Sequence, residues 1–233
     1  MQGDGSRLEH VRPIGQAERG ARILLDEQNR RARGVDLAHD SVEVKRQIGV
    51  VPEGMALFGR LTGSEYLNFV GRMYGLDQQT TDRRADELLE FMQLADRPKT
   101  MIVDYSHGMQ KKLALAAAVI HGPRVLFLDE PFEGVDALAA GALKSLLGRM
   151  TERGVTIFLT SHVMEIVERL CSHVAIINKG RLVAQGSLEE LRAGVPGDEG
   201  AKVTLEQIFL SIVGQHGGQP GMEPLVDELS WLT

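Results

Sequence analysis

The sequence has few of the features that mark secreted or membrane-spanning chains. Cys171 is the only cysteine among 233 residues, so no internal disulfide can form and a reducing compartment is expected. No apolar run approaches the roughly 20 residues that a helix needs to cross a bilayer. The N-terminal segment also lacks the apolar core of a signal peptide. We therefore expect a cytoplasmic protein that reaches a membrane only through a partner.

The chain has no excess of positive charge either. Its net charge is −6, which disfavours a surface for nucleic acid or for anionic lipid. Apolar residues make up 43% and charged residues 25%, as in an ordinary globular protein. A length of 233 residues allows one large domain or a domain with a subdomain.

The most informative stretch runs through residues 125–131. Residues 125–128 are all apolar, which predicts a strand buried on both faces, and Asp129 and Glu130 follow at its carboxyl end. Ligands of open α/β sheets bind at that edge. Two adjacent acids there suit Mg²⁺ at Asp129 and an activated water at Glu130. A buried strand that ends in a solvated acidic turn explains the stretch equally well.

Around this stretch, strands alternate with helices, which predicts an α/β fold with a mostly parallel sheet. The other strands are predicted at residues 48–51, 155–159, 174–177 and 181–184, the last two joined by a hairpin turn. Two helices between residues 62 and 94 interrupt the alternation. The first opens with a capping box of Thr62 and Glu65, and the second follows Thr81. They predict a small helical subdomain inserted between the strands of the sheet.

Three short motifs follow one another in a fixed order. They are Ser106-His107-Gly108-Met109 at a helix start, Asp129-Glu130 at a strand end, and Thr160-Ser161-His162 after another strand. Taken singly, each has a plain structural explanation, because a serine can cap a helix and a histidine can serve as a hydrogen-bonding group. Their order and spacing, however, resemble those of the ATP-binding subunits of ABC transporters, particularly subunits that serve ABC-2-type exporters.

The resemblance extends over residues 34–213 and implies a P-loop NTPase-like fold with ATP and Mg²⁺ as cofactors. Residues 105–109 resemble the signature sequence, 125–131 the Walker B motif and 133–136 the D-loop. On this resemblance Asp129 would bind Mg²⁺ and Glu130 would polarise the attacking water. His162, at the position of the switch histidine, would contact the γ-phosphate.

The resemblance also implies that two subunits close around two ATP molecules, as a homodimer or a heterodimer. A helix N-terminus suits an anion, here the γ-phosphate of ATP bound to the opposite subunit. The inserted helices would touch an integral-membrane permease and hold the protein on the inner face of the cell membrane. The residues expected to contact nucleotide or the dimer seam are Ser106, His107, Gly108, Met109, Glu53 and Asp136.

The sequence departs from the family pattern at three places. Glu53 stands where the Q-loop usually has glutamine, and His107 replaces a glycine of the signature. More seriously, the phosphate-binding pattern Gly-x-x-x-x-Gly-Lys-Ser/Thr (Walker A) does not occur in the sequence. The segment around Gly15 echoes its opening, but Glu18 would replace the lysine and reverse its charge. We interpret that echo as chance.

Two hypotheses account for the missing motif. A reading-frame or start-site error replaced the true N-terminus, or the chain is a degenerate subunit that does not bind ATP alone and acts as a module contacting a permease or another subunit. A soluble ABC-type ATPase of DNA repair or translation is a further alternative, although such proteins usually carry long insertions. We divide the chain into an unassigned segment at 1–33, an ATP-binding domain at 34–193 with its helical subdomain at about 60–121, and a linker and tail at 194–233.

Three further expectations concern packing. Because the missing segment would supply a strand and the helix behind it, strand 125–128 should lose a neighbour and the chain should be marginally stable. Lys111 and Lys112 should face solvent or the dimer seam. Cys171 is expected to pack in the core.

Overall fold

The structure is a computed structural model that describes residues 22–23, 41–193 and 203–217. The predicted N-terminal segment 1–33 therefore lies outside the described residues except for 22–23, as does much of the predicted tail. The strands are β1 (Arg22–Ile23), β2 (Ile48–Val51), β3 (Val125–Asp129), β4 (Thr156–Thr160), β5 (His173–Asn178) and β6 (Arg181–Ser187). The helices are α1 (Ser41–Arg46), α2 (Gly63–Met73), α3 (Gln78–Phe91), α4 (His107–Val119), α5 (Ala137–Glu152), α6 (Met164–Leu170), α7 (Leu188–Ala193) and α8 (Leu205–Gly217).

A parallel sheet of order β2-β3-β4 forms the centre of the molecule. The predicted α/β fold with a parallel sheet is thus confirmed. The prediction that strand 125–128 loses a neighbour is wrong, because β3 pairs with β2 on one side and with β4 on the other. The order of strands follows from pairings between distant segments, which the sequence of one strand does not reveal.

The two faces of β3 are covered unequally. Leu126 and Leu128 are buried, whereas Val125 and Phe127 are partly exposed in the described structure. Helix α4 closes the Leu126 side so tightly that a Cβ on Gly49 would lie 2.2 Å from the carbonyl oxygen of Ala118. The prediction of a strand buried on both faces is therefore wrong for the described residues, since successive side chains point to opposite faces and only one face is fully covered.

A second, antiparallel sheet has the order β1-β5-β6. Its hairpin turn falls at Lys179 and Gly180, as predicted, and both residues adopt positive φ angles, of 48° and 74°. Val174 and Ile176 of β5 are fully buried, so this sheet contributes to the core.

The inserted helices begin at side-chain caps. The capping box of α2 is confirmed, because the Thr62 N–H donates to Glu65 Oε2 at 2.8 Å and the Glu65 N–H to Thr62 Oγ1 at 3.3 Å. The Glu65 carboxylate also accepts from the Thr62 hydroxyl at 2.9 Å, and the bonds from the Thr62 N–H and then from this hydroxyl lower the pKa of Glu65. Helix α3 begins at Gln78 with Asp77 as its cap, so the predicted start after Thr81 is wrong. Thr81 is instead buried inside the helix.

Helices α2, α3 and α4 contribute to the same apolar core as the parallel sheet, which packs α4 against β2. Its fully buried members include Leu67, Ala85 and Leu113. Within the part of the chain that the structure describes, no helix is both long and apolar enough to cross a bilayer.

Candidate functional site

The site lies at the carboxyl edge of the parallel sheet, where β3 and β4 end side by side. Asp129 and Thr160 are register partners, and the Thr160 hydroxyl donates a hydrogen bond to the Asp129 carboxylate. The pairing fixes one carboxylate oxygen of Asp129 against the neighbouring strand. The structure thus places the predicted metal ligand at the edge where open α/β sheets bind ligands.

Glu130 leaves the sheet in an unusual backbone conformation. Its φ angle is 45°, in the left-handed region that non-glycine residues enter at a cost of about 1 kcal/mol. Its N–H donates to the Thr160 carbonyl at 3.2 Å, and its own carbonyl accepts from the Glu133 N–H at 3.2 Å. The carboxylates of the two adjacent acids have different partners, since that of Asp129 accepts from the Thr160 hydroxyl and that of Glu130 contacts His162.

The structure brings Glu130 and His162 into direct contact. Nδ1 of His162 lies 2.9 Å from Oε1 of Glu130, an ion pair whenever the ring is protonated. The His162 side chain is 63% exposed while that of Glu130 is 19% exposed. The loop that carries His162 is held by Ser161, whose buried Oγ accepts from the Val163 N–H at 3.1 Å. These two predicted catalytic residues therefore form one unit open to solvent.

The signature segment begins helix α4 as predicted. Ser106 caps the helix, its Oγ accepting from the Met109 N–H at 3.3 Å. Ser106 and His107 are exposed, and the first-turn N–H groups of a helix carry partial positive charge. The N-terminus of this 13-residue helix is therefore suited to a phosphate group.

The signature segment packs against the D-loop turn of the same chain. A Cβ built on Gly108 would lie 2.9 Å from the Gly134 carbonyl oxygen, and one built on Gly134 would lie 2.9 Å from Cδ2 of His107. His107 therefore lies over Gly134, and no larger residue fits at Gly108 without movement. The two segments form one surface.

Asp136 and Glu53 lie outside the group formed by Asp129, Glu130 and His162. Asp136 caps helix α5, its Oδ1 accepting from the Ala139 N–H at 2.9 Å, and the residue is exposed. Glu53 is exposed just beyond β2, at the same sheet edge as Asp129 because β2 and β3 run parallel. Capping already accounts for Asp136 structurally, so its predicted position at a dimer seam stays a prediction.

The donor set fits Mg²⁺ in the form in which phosphoryl-transfer sites hold it. In the described ranges no group of three or more His, Cys, Asp or Glu residues forms a metal cage. Magnesium needs no such cage, because it keeps several waters and binds one or two carboxylates together with substrate phosphates. Asp129, with one oxygen already fixed by Thr160, supplies a carboxylate of that kind.

Lys111 belongs to the site although the sequence predicted it to face solvent or the dimer seam. That prediction is wrong, because the residue is only 4% exposed. Its Nζ donates to the Glu130 carbonyl at 2.8 Å and lies 3.3 Å from Oε2 of Glu133. The helical spacing to the buried residues Leu115 and Ala118 was a usable signal for an inward-facing position.

Comparisons with known proteins agree with this geometry. The ABC transporter family matches residues 15–133, just over half of the chain. A linearmycin resistance ATP-binding protein of Bacillus subtilis is 35% identical over 183 residues, covering 78% of this chain and 59% of that protein. A daunorubicin resistance ATP-binding protein of Streptomyces coeruleorubidus is 33% identical over 192 residues, covering 82% of this chain and 59% of that protein. The chain thus spans about three fifths of the length of these relatives.

A solved structure described as an ATP binding subunit of an ABC transporter superimposes with a TM-score of 0.70. It is 30% identical, and the match covers 77% of this chain and 74% of that one. The fold likeness confirms the predicted P-loop NTPase-like class. The family match begins at residue 15, ahead of the boundary at 34 that the sequence suggested, and the predicted domain bounds stay a prediction.

Proposed function

Because this chain belongs to the ATP-binding subunits of ABC transporters, we propose that it hydrolyses ATP to power export through a separate membrane permease. The observation that carries the proposal is the contact of Glu130 with His162 beside Asp129 at the sheet edge. Relatives named for resistance to linearmycin and daunorubicin support an exporter.

The proposed chemistry needs a positioned water and a means to sense the γ-phosphate. Glu130 is 19% exposed, so its carboxylate reaches solvent and can accept a proton from an attacking water. The His162 ring contacts that carboxylate through Nδ1 at 2.9 Å, and its other nitrogen would be the group that meets the γ-phosphate. Asp129 would hold Mg²⁺, which when bound neutralises charge on the transferred phosphoryl group.

The proposal includes a dimer of ATP-binding subunits. The N-terminus of α4, with Ser106 and Gly108, would contact the γ-phosphate of ATP on the facing subunit. Asp136 and the turn at Gly134 lie next to this surface, because Gly134 packs against Gly108 and His107. Each site would then be completed only when two subunits close, whether both are copies of this chain or one is a different subunit.

The permease would dock on the helical part of the molecule. Phe58 is 54% exposed and Met73 is 69% exposed, although both are large apolar side chains. Phe58 also packs edge-on against Phe69, with ring centroids 5.3 Å apart. Exposed apolar groups of this kind mark interaction surfaces, and docking there would hold the subunit at the inner face of the membrane.

A second candidate function rests on the absence of the phosphate-binding Gly-x-x-x-x-Gly-Lys-Ser/Thr pattern from the sequence. In that case the chain does not bind ATP alone. It contributes the α4 N-terminus to an intact partner subunit and docks on the permease. Stimulation of a partner's hydrolysis by a chain that itself binds no ATP would favour this candidate.

Phosphate release from Mg-ATP tests the first proposal. The purified chain and its Glu130→Gln variant are compared, with Glu152→Gln as the matched control because Glu152 is exposed at the far end of α5. We expect E130Q to lower kcat at least about a hundredfold and E152Q to leave it unchanged. Hydrolysis that survives E130Q at the wild-type rate contradicts the assignment of Glu130.

A further inference from the structure

Lys111 is a buried cation whose two side-chain partners in the described part of the chain lie in the turn that follows β3. Its side chain is 3% exposed, and its ammonium contacts the carbonyl of Glu130 at 2.8 Å and the carboxylate of Glu133 at 3.3 Å. Burying an ammonium costs several kcal/mol unless it is paired and hydrogen-bonded. Both compensating groups belong to the Glu130–Glu133 turn, so the ammonium and the turn hold each other in place.

The turn needs such a hold because Glu130 adopts a positive φ angle of 45°. Non-glycine residues leave that region readily unless surrounding contacts fix them. The Glu130 carbonyl has two donors, the Glu133 N–H within the turn and the Lys111 ammonium from helix α4. Of these two donors, the ammonium is the one that comes from another element, and it acts beside the bond from the Glu130 N–H to the Thr160 carbonyl of β4.

We propose that Lys111 is a positioning residue for Glu130, fixing the backbone conformation that aims the carboxylate at His162. This inference rests on the proposed ATP hydrolysis for its functional meaning. Lys111 lies on the same helix as the Ser106 cap, five positions further along. It therefore connects the surface that would face the partner's nucleotide with the carboxylate that acts on the chain's own nucleotide.

A purely structural role for Lys111 predicts a different effect of its replacement on the stability of the protein. Removing one member of an ion pair is costly when it leaves the other charge buried, but Glu133 is 49% exposed and would stay solvated. The Glu130 carbonyl would keep the Glu133 N–H as a donor, and the cost of burying the ammonium would disappear. Lys111→Met keeps the long unbranched stem and removes only the charge and its hydrogen bonds. Positioning therefore predicts local loosening of the turn without loss of global stability, whereas a structural role predicts that the two change together.

The test uses the full chain and three variants. Lys111→Met removes the ammonium, Lys111→Arg keeps a cationic donor, and Lys112→Met is the matched control on the next, half-buried position. Amide hydrogen exchange is measured in residues 129–136 without nucleotide, and thermal unfolding is measured in parallel. Phosphate release then separates kcat from KM.

We expect K111M to speed exchange of the Glu130 and Glu133 amides about tenfold or more, with an unfolding midpoint equal to or above that of the wild type. K111R should return exchange to near the wild-type rate, and K112M should not change it. In phosphate release, K111M should lower kcat about tenfold with KM unchanged within about twofold.

Two results would overturn the inference. One is K111M exchange no faster than that of K112M; the other is loss of protection across the whole chain in step with a lower unfolding midpoint. The exchange comparison needs no ATP. A wild-type chain that releases no phosphate would therefore count against the proposed function and leave the exchange result to decide the role of Lys111.

Discussion

Oε1 of Glu130 and Nδ1 of His162 lie 2.9 Å apart, although the two residues follow different strands and are 32 positions apart in the sequence. The pairing of β3 with β4 brings them together, since Asp129 and Thr160 are opposite each other in register. The contact shows that residues from two separate sequence motifs lie in one site. The proposed hydrolysis depends on it.

Asp129→Asn should abolish the dependence of nucleotide binding on Mg²⁺. The amide keeps the shape of the side chain and can still accept from the Thr160 hydroxyl, but it loses the charge that attracts the cation. We expect the wild-type affinity for ATP to rise with Mg²⁺ and that of D129N to stay flat, measured by titration with and without the metal. Equal Mg²⁺ dependence in both proteins would remove Asp129 from the metal site.

Gly108→Ala should separate the signature segment from the D-loop turn. The new methyl would lie 2.9 Å from the Gly134 carbonyl oxygen, a backbone atom that cannot swing away. We expect a loss of about 1–2 kcal/mol in the free energy of unfolding, measured with urea. Gly141→Ala is the control, because its methyl meets nothing within 4 Å in the described ranges and should stabilise α5 by up to about 1 kcal/mol. Similar effects of the two changes would refute the close packing.

Gly49→Ala should damage the sheet far more than Gly54→Ala. A Cβ at Gly49 would lie 2.2 Å from the Ala118 carbonyl oxygen, so β2 and α4 would have to move apart. We expect a cost of about 3 kcal/mol or more in unfolding free energy. At Gly54 no described residue lies within 4 Å of the added Cβ, and the change should stay within about 0.5 kcal/mol. A stable, cooperatively unfolding G49A protein would contradict the packing of α4 on β2.

His121 should make the stability of the protein fall in mild acid. Its ring stacks on Tyr74 with centroids 3.7 Å apart, and its Nε2 lies 3.2 Å from the Ile48 carbonyl. Its buried Nδ1 has no hydrogen-bond partner among the residues that the structure describes. Burial, the larger cause, and the nearby charge of Arg84 lower the pKa of His121, while the bond to the Ile48 carbonyl opposes them. The folded chain therefore binds fewer protons than the unfolded chain.

It follows that this contribution to stability is complete above about pH 6.5 and declines as the pH falls toward the lowered pKa of His121. His121→Phe keeps a ring against Tyr74 but cannot titrate. Urea unfolding between pH 7 and pH 5 should show a smaller decline for H121F than for the wild type. Parallel declines in the two proteins would show that other groups set the pH dependence.

Local features of the fold could be predicted from the sequence, whereas features set by distant contacts could not. The caps at Thr62 and Ser106 are confirmed, because a cap depends on residues within one helical turn. The start of α3 was misplaced because Asp77 and Thr81 both suit a cap, and only the buried position of Thr81 decides between them.

The site likewise contains residues that the sequence motifs identified and one residue, Lys111, whose contacts they did not reveal. The motifs identified Asp129, Glu130 and His162 from residue type and order, and the structure places them at one sheet edge. The helical spacing of Lys111 to Leu115 and Ala118 was a signal of its burial, but its contacts escaped prediction because its two partners lie 19 and 22 positions away, beyond the rest of α4 and β3. A lysine beside another lysine looks like a solvated pair until such partners are known.

Titration of the Glu130→Gln variant with Mg-ATP tests the central claim most directly. This variant should bind nucleotide without consuming it, so the measured affinity is an equilibrium value. The account predicts saturable binding with a Kd between about 1 μM and 1 mM, lost when Mg²⁺ is removed. No binding in that range would contradict an ATP-hydrolysing subunit and leave the chain as a module that completes the site of a partner.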